Sequence, residues 1–114
     1  MDLASKRCKP CEGGVKPFTE AQARFYHAEL GTWDLGPDAK SISRAFKFKD
    51  FKENMAFVNK VAELAESEGH HPDMEVKWNR LTLRLSSHAI GGLSENDFVL
   101  AAKIDALQQT TAFK

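Results

Sequence analysis

The sequence predicts an α+β fold: an antiparallel four-stranded sheet with helices packed on one face, in the order α-β-β-α-β-β-α. Three observations predict it. Three segments open on helix-capping residues and continue with apolar residues at helical spacing. Two pairs of short segments between them alternate in the manner of strands. Hairpin-like pairs separated by single helices favour an antiparallel sheet covered on one side. A length of 114 residues with 42% apolar composition fits one domain with one core.

Residues 1–17 read as an irregular arm, punctuated by Pro10, Gly13, Gly14 and Pro17 with no period. Residues 18–114 form the single domain. Thr19 and Gln22 make a capping box, Ala21, Phe25 and Ala28 share a helical face, and Gly31 stops the helix. Trp33 to Leu35 is a short strand, ended by the turn Gly36-Pro37-Asp38. From Ser41 to Lys49 the pattern alternates, with Ile42, Phe46 and Phe48 on one side. Arg44 is the exception on that apolar side and calls for a strand end or a partner charge. Asp50 and Glu53 start a long helix that runs to about Glu68. Its stripe is Phe51, Met55, Val58, Ala62 and Ala65, widened by Phe57, Val61 and Leu64. Gly69 suits its C-terminus. Met74, Val76 and Trp78 alternate, as do Leu81, Leu83 and Leu85, with Asn79-Arg80 as a tight turn between them. After the Gly91-Gly92 loop, Ser94 caps a last helix with Leu100, Ile104 and Leu107 on one face. No internal repeat joins the two ββ units.

Composition excludes several function classes. Sixteen basic and sixteen acidic residues give a net charge of zero. That argues against a nucleic-acid partner, which asks for a basic surface, and against attraction to anionic membranes. No apolar run reaches membrane-spanning length, and the first residues lack a signal-peptide core. A cytoplasmic protein with reduced Cys8 and Cys11 is expected. Cys8-Lys9-Pro10-Cys11 is half of a zinc ribbon, without the second half and without a thioredoxin context. No Rossmann or phosphate-loop glycine pattern is present, so no nucleotide cofactor is expected.

The informative cluster is histidine. The chain has four, and three of them, His70, His71 and His88, surround the second predicted hairpin. Imidazole exchanges protons near neutral pH. The structural reading, surface or hydrogen-bonded loop histidines, would win for one residue but is weaker for three. A zinc site is disfavoured, because adjacent side chains in an extended segment diverge and no HxH or HxxxH spacing occurs. Paired general acid and base catalysis is the better reading, with folding expected to gather the rings about one cleft. No metal is expected.

The pattern Glu66, three residues, His70-His71-Pro72, then Trp78, His88 and Asp97, resembles the signature of the pterin-4a-carbinolamine dehydratases. The flanks agree: CEGG near the N-terminus, FKFKDF at 46–51, GHHPD at 69–73 and SHAIGGLSENDFVLAAKID at 87–105. The resemblance covers roughly residues 8–108.

The resemblance implies dehydration of 4a-hydroxytetrahydrobiopterin to quinonoid dihydropterin, recycling the pterin used by aromatic amino acid hydroxylases. It implies no cofactor, a small-molecule pterin partner, and a homodimer or homotetramer. It makes His70, His71 and His88 catalytic, with His70 and His88 as acid and base and His71 binding or orienting the pterin. Asp97 and Trp78 enter as substrate-binding residues. Each also has a structural reading. Asp97 completes the S-x-x-D capping box begun by Ser94, and Trp78 alternates with Val76 as a packing residue. Glu66 reads as a solvated acid on the last helical turn. Two other roles stay open: a protein-binding module for transcription-factor dimerisation or assembly, and a dehydratase in a molybdopterin-linked pathway.

Overall fold

Local signals start and stop the helices. A computed structural model describes residues 2–9 and 16–110, with side chains described through residue 108. Thr19 caps α1 (Glu20–His27) through both bonds of a capping box with Gln22. Asp50 caps α2 (Phe51–Glu68), accepting the Glu53 N–H at 2.9 Å. Gly69, at φ 65°, closes α2 in the left-handed conformation that glycine adopts without a Cβ clash. The last helix, α3, spans Glu95–Thr110.

The strands β1 (Asp34–Leu35), β2 (Ile42–Lys47), β3 (Asp73–Lys77) and β4 (Arg80–Leu85) form one antiparallel sheet in the order β1-β2-β4-β3. Ile42, Phe46, Leu81, Leu83 and Leu85 face inward and are buried, while Ala45, Lys47, Thr82 and Arg84 face out and are exposed. The core lies between this apolar face and the helices. Phe57, Val58, Val61 and Ala65 of α2 and Phe98, Val99, Leu100, Ala101 and Ile104 of α3 fill it. The predicted class and element order are therefore those of the structure.

Several details differ. The buried face of α1 holds Ala23, with Tyr26 half-buried, whereas Ala21, Phe25 and Ala28 are exposed. Eight residues carry two stripes of similar strength. An aromatic cluster decides between them: Tyr26 lies 4.7 Å from Phe18 and 5.4 Å from Phe98, centroid to centroid. The helix also ends before Gly31, at His27.

The buried stripe of α2 is rotated in the same way, to Asn54, Phe57, Val58, Val61 and Ala65. Phe51 is left 48% exposed. Asn54 explains the rotation. Its fully buried amide donates to the carbonyls of Lys77 and Arg80, at 2.7 and 2.9 Å, and ties the helix to the β3–β4 turn.

That turn is Trp78-Asn79 rather than Asn79-Arg80. Lys77 pairs with Arg80, so Trp78 leaves the strand and stands 64% exposed at the hairpin tip. It packs on nothing central, against the packing role that its alternation suggested. Arg44 has the partner charge its position demanded. Its guanidinium pairs with Asp105 of α3 and lies 4.5 Å over the Phe46 ring.

The described part of the N-terminal arm is ordered onto the domain. A 3-10 turn, Leu3–Ser5, buries Leu3 beside α3. Cys11 and the CEGG stretch lie outside the described residues.

Candidate active site

Three separate local features bring the histidines together. Gly69 turns the chain out of α2, which directs His70 and His71 to the end of the sheet. β4 ends at Leu85, and the next residues form a closed loop in which Ser87 and Gly92 exchange backbone hydrogen bonds. Within it the 3-10 turn His88–Ile90, closed by Gly91 at φ 72°, holds His88 outward. The N-terminus of α3 then passes beneath both segments. His70, His71 and His88 all line one cleft of 290 Å³, together with Lys9, Ser86, Ser87 and Asn96. That volume lies near the lower end for ligand sites, about 300–1,000 Å³. A wider hollow of 570 Å³ beside Asp34, Asp38 and Arg84 contains no imidazole.

The three rings have different surroundings. His70 is nearly buried, with a side-chain exposure of 11%, and its Nε2 stands 2.6 Å from Oδ1 of Asp97. A carboxylate only accepts, so the bond puts a proton on Nε2 and leaves Nδ1 of the neutral ring as its lone-pair nitrogen. Asp97 is itself fully buried. Its Oδ2 accepts from the Ser87 hydroxyl at 2.8 Å and the Ser94 N–H at 3.0 Å. The reach back to Ser94 is half of the expected capping box. The other half is missing: the Asp97 N–H donates to the Ser94 carbonyl at 3.2 Å, and the Ser94 hydroxyl bonds Ser87 at 2.7 Å. Asp97, expected to bind substrate, is buried behind the cleft and serves His70 and the helix start at once, on opposite oxygens.

His71 is more exposed, and its Nε2 bonds Glu66 across the helix end at 2.7 Å. Glu66 is therefore paired with a cleft residue and not merely solvated. His88 is 75% exposed at the rim, with Nε2 3.9 Å from Asp73, too far for a direct hydrogen bond. Trp78 sits on the hairpin tip and is not among the residues lining this cleft, so the chain's own fold does not bring it to the histidines. The two-residue turn thus sets Trp78, expected to bind substrate, at the hairpin tip and apart from the cleft of its own chain. Among the described residues, no group of three His, Cys, Asp or Glu side chains is placed to hold a metal ion.

Sequence reasoning missed the N-terminal wall of the cleft. The Cys8 N–H donates to Glu68 at 2.9 Å, and the Lys9 N–H donates to Asn96 Oδ1 at 2.8 Å. These contacts span sixty or more residues, and no local pattern announces them. Burial pushes the Cys8 thiol up to about 12, helped by the charge of Glu68. Burial alone would raise the Glu68 carboxyl. The Cys8 N–H, Lys103 and Arg7 outweigh it and hold that carboxyl below its usual range. The Tyr26 hydroxyl, with Lys6 assisting, does the same for Glu95 against its burial.

Two lowered carboxyls thus anchor the segment. Their contribution is complete above the ordinary glutamate pKa of about 4.3 and is lost as pH falls through the lowered values. In a Cys11→Ser background, Cys8 should react slowly with dithiodipyridine at pH 6, and its rate relative to an unstructured cysteine peptide should rise as the pH drops toward 3. Glu68→Gln should raise the pH 6 rate. A relative Cys8 rate independent of both changes would contradict this anchoring.

The sequence matches the family described as pterin 4 alpha carbinolamine dehydratase over residues 16–107. A relative named for that enzyme in Halorhodospira halophila is 47% identical over 107 residues, covering 94% of this chain and 98% of its own. Another so named, in Nitrosomonas eutropha, is 50% identical over 107 residues, covering 93% of each chain. Among solved structures, a transcriptional coactivator/pterin dehydratase from Brucella melitensis superposes with a TM-score of 0.75. It is 32% identical and covers 81% of this chain and 98% of its own. A pterin dehydratase-like RuBisCO assembly factor of the alpha-carboxysome shares the fold, with a TM-score of 0.60 at 22% identity over 70% of this chain and 93% of its own. With the match spanning the histidine loops, the whole sheet and most of α3, this chain belongs to the pterin 4 alpha carbinolamine dehydratase family.

Proposed function

We propose that this protein is a hydro-lyase that dehydrates 4a-hydroxytetrahydrobiopterin to quinonoid dihydropterin. The observation that carries this reading is the convergence of three imidazoles on one small cleft, one of them backed by a buried carboxylate. The reaction breaks the C4a–O bond and removes the proton of the adjacent ring N–H, so that a C=N bond replaces them and water leaves. Electrons stay within the substrate. Two proton transfers at separate atoms are all that the protein must supply.

His70 and His88 take these transfers, one as acid and one as base. His71, held by Glu66, orients the ring system. Asp97 is a positioning residue, which keeps the His70 proton on Nε2 and presents Nδ1 to the ligand. Such a protein belongs downstream of an aromatic amino acid hydroxylase, in the cytoplasm, as a homodimer or homotetramer. No helix among the described residues is long and apolar enough to cross a membrane.

A stopped-flow assay with freshly generated 4a-carbinolamine tests the proposal. Wild-type protein should accelerate dehydration over the spontaneous rate, and His88→Ala should remove most of that acceleration. His88 is exposed, so its loss should leave the melting temperature nearly unchanged. No acceleration by the wild type would refute the function. Full activity in His88→Ala would refute the assignment of His88.

A further inference from the structure

The wall contributed by the N-terminal segment has a charge that the dehydration does not use. Lys9 lines the histidine cleft, and its backbone is clamped on both sides. Buried Asn96 accepts the Lys9 N–H and donates its own amide to the Lys9 carbonyl. One residue earlier, Glu68, whose side chain is 5% exposed, accepts the Cys8 N–H. Lys6 on Glu95 and Lys103 on the Ala4 carbonyl hold the preceding turn. A surface lysine needs none of this. The clamp fixes where the lysine stem begins, over the cleft.

The cleft is also one-sided in charge. Lys9, the three histidines, Ser86, Ser87 and Asn96 are among its lining residues, and no acidic residue is. The nearby acids are engaged elsewhere: Asp97 with His70, Glu66 with His71, and Glu95 with Tyr26 and Lys6. Among the described residues, no carboxylate lies within ion-pair distance of Lys9, although its charge acts from further off on Glu95 and adds to the lowering of that carboxyl. The pterin bicycle carries no negative charge for an ammonium to meet. An anionic substituent on the ligand does.

We propose that Lys9 is a specificity-determining residue, and that the preferred ligand is a pterin whose side chain carries a phosphate. This rests on the dehydratase reading of the same cleft and departs from it in the pterin, because the side chain of tetrahydrobiopterin carries no phosphate. The ring sits among the imidazoles and the side chain runs toward the N-terminal wall, where its phosphate meets the Lys9 ammonium. The lysine adds affinity through charge at the rim, so salt weakens its effect.

Calorimetric titration of the full chain with 7,8-dihydroneopterin and with its 3′-monophosphate tests this. In 20 mM salt the monophosphate should bind wild-type protein roughly tenfold more tightly than the uncharged compound. Lys9→Met should abolish most of that preference, Lys9→Arg should keep it, and 0.5 M salt should erode it in the wild type. Asn96→Ala, which frees the segment, should reduce the preference while Lys9 is still present. Equal binding of the two compounds by the wild type, or a preference that survives Lys9→Met, overturns the inference. If the wild type meanwhile accelerates carbinolamine dehydration, the dehydratase reading stands and only the substrate class falls. If it neither dehydrates the carbinolamine nor binds either compound, both fall together.

Discussion

His70→Ala should lower the enzymatic dehydration rate by about 10²–10⁴-fold, the usual range for a positioned acid or base. His70 is the imidazole with the most defined environment: nearly buried, with one nitrogen committed to Asp97 and the other left for a ligand. Its removal leaves Asp97 still accepting from Ser87 and Ser94, so the carboxylate is not orphaned and the chain should keep its far-UV spectrum. Asp97→Asn separates positioning from proton transfer. The amide still accepts on one oxygen but no longer demands a proton on Nε2 of His70. The expected signature is a fall in kcat with little change in KM, and a pH–rate profile unlike that of His70→Ala. Stopped-flow measurement with the spontaneous background subtracted reads both variants. A His70→Ala rate within about threefold of wild type would remove His70 from the chemistry.

Asp105→Ala should produce the largest loss of stability among polar substitutions considered in this protein. One carboxylate on α3 receives the Thr32 hydroxyl at 2.6 Å, the Trp33 indole N–H at 2.8 Å and the Arg44 guanidinium. These donors come from the α1–β1 connection and from β2, so the bond set closes the helix layer onto the sheet. Arg44 enters the apolar side of β2 only because this partner is present. Breaking a buried pair by removing one member costs about 3–5 kcal/mol, since the surviving charge stays desolvated. Side-chain exposures of 21% for Arg44 and 14% for Asp105 leave some water access and bring the expected cost to about 2–4 kcal/mol. Urea denaturation measures it. Adding Arg44→Met to Asp105→Ala should recover part of the loss, because the stranded guanidinium is gone. A cost below about 1 kcal/mol for Asp105→Ala, or a double variant as unstable as the sum of the singles, would mean that the pair is solvated rather than structural.

Both expectations concern contacts between residues far apart in the chain, and this separates what was legible from what was not. Thr19 with Gln22, Asp50 and Gly69 act on neighbours within four residues, so their capping roles were readable directly. The alternation of Leu81, Leu83 and Leu85 likewise fixed the inward face of β4, because a strand offers only two faces. Helix faces were less legible. A helix offers a continuum of rotations, and the choice in α1 and α2 fell to distant partners: Phe98 for Tyr26, and the hairpin carbonyls for Asn54. The turn register misled for a related reason. Asn79 marks the turn in either register, and the pairing of Lys77 with Arg80 put Trp78 at the tip.

By itself the sequence determined the fold class and the element order, since these follow from short-range pattern and spacing, and its motifs carried the family resemblance and singled out the three imidazoles. Tertiary structure alone decided that Asp97 backs His70, that Glu66 engages His71, that Trp78 stays outside, and that an N-terminal lysine forms a wall. Each of those outcomes depends on the direction of a side chain or the docking of a segment tens of residues away. Such directions are set by packing and by the need of buried polar groups for partners, neither of which has a local signature.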